Sequence, residues 1–551
     1  MGCAKAMKPR LISIAAAVIL GIAGCGGGSG STPPPPGPQP PTPISTAEAF
    51  KFLNQASFGA TEAEAERVIT MGVEAWIDDQ MVKPASLQLP HMLALPPPEF
   101  MGQLQVDRVD IWFRNSLHGQ DQLRQRVAFA LSEIMVVSQI GALNNQPFGL
   151  ASYYDMLARN AFGNYRDLIE EVTLHPSMGV YLSMLGNEKP DPVRNIRPDE
   201  NYARELMQLF SIGLVELNQD GSVRTDGQGK PIPTYDQSII EGFAHVYTGW
   251  TYAGAREFHL NFANLFRQVT PMDLWPEYHD IGPKNILNGV TIPAGQPGER
   301  DLAAALDNIF DHPNVGPFIA IRLIQRLVTS NPSPGYISRV AAVFDSNGQG
   351  VRGDLGAVVK AILLDDEARP ALPMEIDGKV KEPILRLTQL WRAYDATSRS
   401  GRYPLRNAYV IFGQGPLQAP HVFNFFSPFF APAGEIRNSS LVAPELEIAT
   451  EYQNTFVTNF MFGQAFVLNS ENPDLREDDV YIDFADEMPV AANAQVLVDV
   501  VARKLLAGQI SDTLRVEITG MLALIPEGNS RLRVAETIYL IVTSPEYAYQ
   551  R

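Results

Sequence analysis

After Cys25 the chain contains no cysteine, and the only other one is Cys3. The folded body must therefore hold together without disulfides, by burying apolar surface, which a chain of this size can do. The same count removes cysteine nucleophiles, thiolate zinc sites and iron–sulfur clusters from the body. The remaining material is ordinary for a globular chain, 45% hydrophobic and 19% charged.

That material is patterned for helices. Leu123, Val127, Leu131, Ile134 and Ser138 fall on one stripe, with Arg124, Arg126 and Glu133 available to another side. Ala303 to Phe310 and Phe318 to Val328 behave alike, with Asp301 and Asn314 as helix starts. Strand signals are few. Residues 214–217 and 232–234, separated by Asp220-Gly221 and Asp226-Gly227, predict one hairpin inserted between helices. Its acidic loop lacks the spacing of a twelve-residue calcium loop. The expected fold is mainly α, a large multi-helix globular body with one small inserted β-hairpin.

The N-terminus predicts export. Lys5, Lys8 and Arg10 precede an apolar run from Leu11 to Ala23, too short to span a bilayer of about 30 Å. Ile22-Ala23-Gly24-Cys25 resembles the bacterial lipobox, which implies cleavage of 1–24 and lipidation of Cys25, hence a membrane partner through the lipid anchor. Gly26 after the cysteine points to the outer membrane or its periplasmic face rather than inner-membrane retention. Cleavage would take the net charge from −18 to −21, a balance that argues against nucleic acid as a partner. Residues 25–45 are a Gly- then Pro-rich spacer that cannot build a core. A main helical domain over 46–470 and a helical C-terminal segment over 471–551 are expected, divided at Asn472-Pro473 and the acidic run Glu477-Asp478-Asp479.

Five motifs follow in order: TLHPSMGVYLSMLGN (173–187), RPDENYARELMQLFSIGL (197–214), HDIGPKNIL (279–287), HPNVGPFIAIRLIQRLVTSNPSP (312–334) and GPLQAPHVFNFFSP (415–428). Together they resemble the bacterial family called domain of unknown function 1800, from about Ala49 to the C-terminus. The resemblance implies an exported, mostly helical protein without a settled activity. It also implies an exported partner of the sulfatase or phosphatase type.

Two motifs can carry chemistry. Between Pro198 and Gly213 a helix would bury Tyr202, Leu206, Leu209 and Phe210 and carry Asn201, Arg204, Glu205 and Gln208 on a polar stripe. Such a stripe either lines a cleft as acid, base and guanidinium or is simply solvated, with a Glu200–Arg204 pair. His279-Asp280-x-Gly282-x-Lys284 suits a loop that binds an anionic group or a metal. No recognised ligand spacing accompanies it, even with His175, His245, Glu205 or Glu241 added, so no metal site is assigned and the cofactor is open. His175 and His312 each precede proline and read as structural turns. GxSxG, SxxK at a helix start and a phosphate-binding glycine loop are all absent. The run from His421 to Phe430 holds five phenylalanines and reads as core more readily than as a sugar platform. Tyr247 and Trp250, near Glu241 and His245, mark the expected cleft.

Two function classes fit these residues. One is an envelope hydrolase whose polar centre combines Asn201, Arg204 and Glu205 with His279, Asp280 and Lys284. The other is a non-catalytic binding or assembly factor for an exported protein or an envelope polymer.

Overall fold

Local capping starts the body. Ser45 Oγ accepts from the Glu48 amide at 3.2 Å while Glu48 Oε2 accepts from the Ser45 amide at 2.7 Å, a reciprocal box that opens the helix Thr46–Ala56. Thr61, Asn164, Asp236, Asp354 and Asn493 cap later helices with a side-chain oxygen alone. The computed structural model describes residues 44–100, 102–260, 263–369, 378–406 and 408–550. The expected signal peptide, the lipidation site Cys25 and the spacer up to residue 43 lie outside the described residues.

Among the described residues helices make up 52% and strands 5%, so the fold is mainly α, as the periodicity predicts. Among the described residues none of the helices is long and apolar enough to cross a membrane. An edge-to-face chain of Phe58, Trp112, Phe113 and Trp391, with ring centroids 5.0–5.3 Å apart, ties the first helices to the helix Pro383–Ala393. Residues 43–551 form one compact unit.

The inserted hairpin between 214 and 234 is present with its two Asp-Gly turns. It is a closed meander: Arg224 N donates to Glu216 O, Ile232 N to Arg224 O, and Glu216 N back to Ile232 O, at 2.8–3.0 Å. Three further two-stranded ladders join Trp250–Thr251 to Asp273–Leu274, Lys284–Asn285 to Thr291–Ile292, and Lys379–Val380 to Tyr549–Gln550.

Two expectations about individual residues are corrected. Asp301 does not start its helix, which begins at Gly298; it sits buried in the first turn with other partners. Arg126 and Glu133 do not face outward. The helix Gln122–Ser132 is buried almost all round, and both side chains enter a charged network inside the core. There Arg326 lies 3.4 Å from Glu133, and Lys379 lies 3.4 Å from Glu382 and 3.0 Å from Glu445. Gln414 Nε2 donates to both Glu133 and Glu382, at 3.0 and 2.6 Å. Burial and the neighbouring Glu382 push the Glu133 pKa up. Burial would raise Glu382 as well, but Lys379, Arg326 and Arg126 outweigh it and hold that carboxyl down. A pattern that counts apolar spacing cannot see cations and carboxylates meeting from segments so far apart in the chain.

Candidate functional site

The helix that carries the polar stripe is built much as its sequence implies. Asp199 Oδ1 accepts from the Asn201 amide at 2.8 Å and opens the turn Asn201–Glu205. Gly213, at φ +74°, ends the segment with its amide on the Met207 carbonyl. Tyr202, Leu206 and Phe210 are buried, as the stripe predicts, whereas Leu209 is only half-buried. Between them the sequence reading misses one thing: from Leu206 to Ser211 the backbone is a π-helix. Wide turns of this kind are rare and concentrate at functional sites.

The polar stripe divides between surface and interior just before the π-helix. Asn201 is exposed, and Arg204 is part-exposed in a 2.9 Å pair with Glu200. Gln237 Nε2 donates to Glu200. Glu205, by contrast, is only 7% exposed, and its Oε2 has no hydrogen-bond partner. Burial raises its pKa, which Arg204 offsets only in part. Tyr181 and Tyr235 share this field: burial, with the Glu205 charge added, pushes each hydroxyl up to about 12. The Tyr235 hydroxyl also lacks a partner. A buried, uncompensated carboxyl beside two phenols is the arrangement from which general acids are made.

The His279 motif folds into two separate contacts. His279 and Lys284 are both buried on Asp301, with His279 Nε2 at 3.1 Å and Lys284 Nζ at 2.6 Å from the same Oδ2. Thr248 O faces His279 Nδ1 at 2.9 Å, so both ring nitrogens meet protein oxygens. Asp280 turns the other way and pairs with His245 Nδ1 at the end of the helix Gln237–Val246. Gly242 lets that helix lie against the Lys284–Asn285 ladder, because a Cβ there would stand 1.8 Å from the Asn285 carbonyl oxygen. Gln237, which touches Glu200, and His245, which touches Asp280, stand about 12 Å apart along one helix. Among the described residues no hydrogen bond or ion pair joins Arg204 or Glu205 to His279, Asp280 or Lys284.

His245 is the residue that the sequence reading placed only as a spare ligand, and no spacing signal links it to Asp280. Its hydrogen bond is the largest cause that lowers Asp280 to about 2, against burial and with help from the Gly282 amide. A depressed carboxyl stabilises the fold above its unfolded pKa of about 4. We expect that contribution to be present at neutral pH and to disappear as pH falls from about 4 to 2. In acid titrations followed by circular dichroism, His245→Gln should show a smaller loss across that window than the parent; an unchanged profile would refute the assignment.

The remaining candidates are structural. His175 Nδ1 accepts from the Ser177 amide and His312 Nδ1 from the Asn314 amide, each at the turn into a helix. Tyr247 and Trp250 are buried in the core rather than lining a cleft. Of the phenylalanine run, Phe425 and Phe426 are buried, whereas Phe423 and Phe429 are 51% and 63% exposed. Among the described residues no three His, Cys, Asp or Glu side chains are grouped to hold a metal ion.

Comparison with known proteins places the chain. The family model described as protein of unknown function (DUF1800) matches residues 51–549. The chain belongs to the DUF1800 family. No curated protein and no solved structure matches it. Within this DUF1800 protein the matched span covers both the Glu205 turn and the His245–Asp280 pair.

Proposed function

We propose that this DUF1800 protein is a hydrolase of the bacterial envelope in which Glu205 moves the proton, with Arg204 at the rim. The observation that carries the reading is the buried Glu205 carboxyl, left without a hydrogen-bond partner at Oε2 where an α-turn passes into a π-helix. A raised pKa brings such a carboxyl toward neutral pH, where it can protonate a leaving group and then take a proton from water. The lipid anchor at Cys25, the outer-membrane location and an exported partner of the sulfatase or phosphatase type belong to the same proposal. They rest on the sequence alone.

The test is a panel of chromogenic esters, phosphoesters and glycosides with the parent and Glu205→Gln. We expect the variant to lose about 10²–10⁴-fold of whatever activity the parent shows. Because the substitution relieves a buried charge, its midpoint of unfolding should match or exceed that of the parent. Equal turnover by both proteins would remove Glu205 from the chemistry. The exposed Phe423 and Phe429 favour the second reading, a docking factor. That reading requires a stoichiometric partner whose capture Glu205→Gln leaves intact.

A further inference from the structure

Among the described residues, Arg322 is a cation with no carboxylate paired to it. In the helix Val315–Leu327 its guanidinium carbon lies 4.9 Å from the Phe318 ring centroid and 4.7 Å from that of Phe429. Its Nη1 is buried and has no hydrogen-bond acceptor. The charge that bears on it comes from Arg326, one turn on; burial first, then that charge, pulls its pKa down to about 9. Arg326 itself is matched by Glu133. Three other buried guanidinium groups meet protein oxygens: Arg108 donates to the Pro416 carbonyl, Arg392 to that of Gly59 and Arg533 to that of Ala491.

A desolvated charge is costly unless something answers it. Rings stacked on a guanidinium stabilise its faces by cation–π attraction. They leave its N–H edge unmatched, and that edge is shaped to take two oxygens of one anion. The loop that supplies Phe429 offers a second unmatched group. Asn424 is 3% exposed and stands at φ +70°, a conformation strained for a residue with a side chain. Neither its Oδ1 nor its Nδ2 has a partner. Loop and helix are fixed to each other, since Gln325 Nε2 donates to the Pro428 carbonyl at 3.1 Å and Arg326 lies 4.5 Å from the Phe426 ring centroid.

We propose that the face between the helix Val315–Leu327 and the loop 421–430 binds the oxyanion of a ligand, a carboxylate, phosphate or sulfate group. Arg322 is its counter-ion, and Phe318 and Phe429 clamp the guanidinium. The net charge of −18 repels anions at long range, so recognition must come from this local cation. The site does not depend on the Glu205 reading.

Thermal unfolding of the full chain tests it, with acetate, phosphate and sulfate titrated against chloride at constant ionic strength. At least one oxyanion should raise the Tm of the parent in a saturable manner, and the one that does identifies the class. Arg322→Met should lose the saturable shift, yet unfold in chloride at the same or a higher temperature, because a side chain held only by structure would show the reverse. Arg322→Lys keeps the charge without the fork and should bind at least threefold more weakly, as should Phe429→Ala, so the test survives if Arg322→Met fails to fold. No saturable shift in the parent, or equal shifts in the parent and all three variants, would overturn the proposal.

Discussion

Lys379→Met should destabilise the fold by about 3–5 kcal/mol, the cost of breaking a buried ion pair from one side. Lys379 is 1% exposed at its side chain and stands between Glu382 and Glu445, which are 0% and 2% exposed. Its Nζ also donates to the Arg326 carbonyl at 3.0 Å. Removing the amine leaves two carboxyls in the core facing one another's field, with Glu133 a third. Protonation will relieve part of that, so the loss should grow as pH rises above neutrality. Urea unfolding at pH 6 and pH 8 measures both parts. A second substitution, Glu445→Leu, removes one of the stranded carboxyls and should restore some of the loss. If Lys379→Met unfolds at the parent's urea midpoint at both pH values, the network is not holding the core.

Asp301→Ala should cost about as much, about 3–5 kcal/mol, for the opposite reason. It strands a buried ammonium instead of two carboxyls, and it takes an acceptor from a buried imidazole. Lys284 Nζ would keep only the carbonyls of Asp280 and Gly282, at 2.5 and 3.1 Å, and His279 would lose the oxygen at its Nε2. Combining it with Lys284→Met leaves no buried ammonium, so the double variant should be more stable than Asp301→Ala alone. Urea midpoints at pH 7 decide the matter; additive losses would mean that Asp301 and Lys284 do not act as a pair.

These two sites show what the sequence could and could not disclose. The Asp199 turn that opens the helix, its end at Gly213, and the hairpin with its Asp-Gly turns depend on backbone preferences of single residues, which the chain displays directly. Partner choice does not. Asp301 has the right identity and place for a helix start, and only the fold shows that Lys284 and His279 reach it first. Arg126 and Glu133 look solvent-facing beside Leu123 and Val127, because their partners Glu382 and Arg326 come from distant segments. The candidate site divides in the same way. Glu205 was legible as a polar residue within a motif, but its burial was not, since a 3.6-residue period was assumed through a stretch with a wider turn. His245 and Asp280 find each other only through the ladder that packs on Gly242.

The π-helix from Leu206 to Ser211 has a consequence for variation by insertion and deletion. Removing one residue from this stretch would let the segment relax into an ordinary α-helix, with better hydrogen bonds and no wide turn. It would also rotate Asn201 to Glu205 by roughly 100° relative to everything after Ser211. Glu205 would swing out of its buried position, and Tyr202 would leave the Thr173 hydroxyl that it meets at 2.6 Å. In this stretch, then, a shorter chain would gain local regularity at the expense of where its acid points.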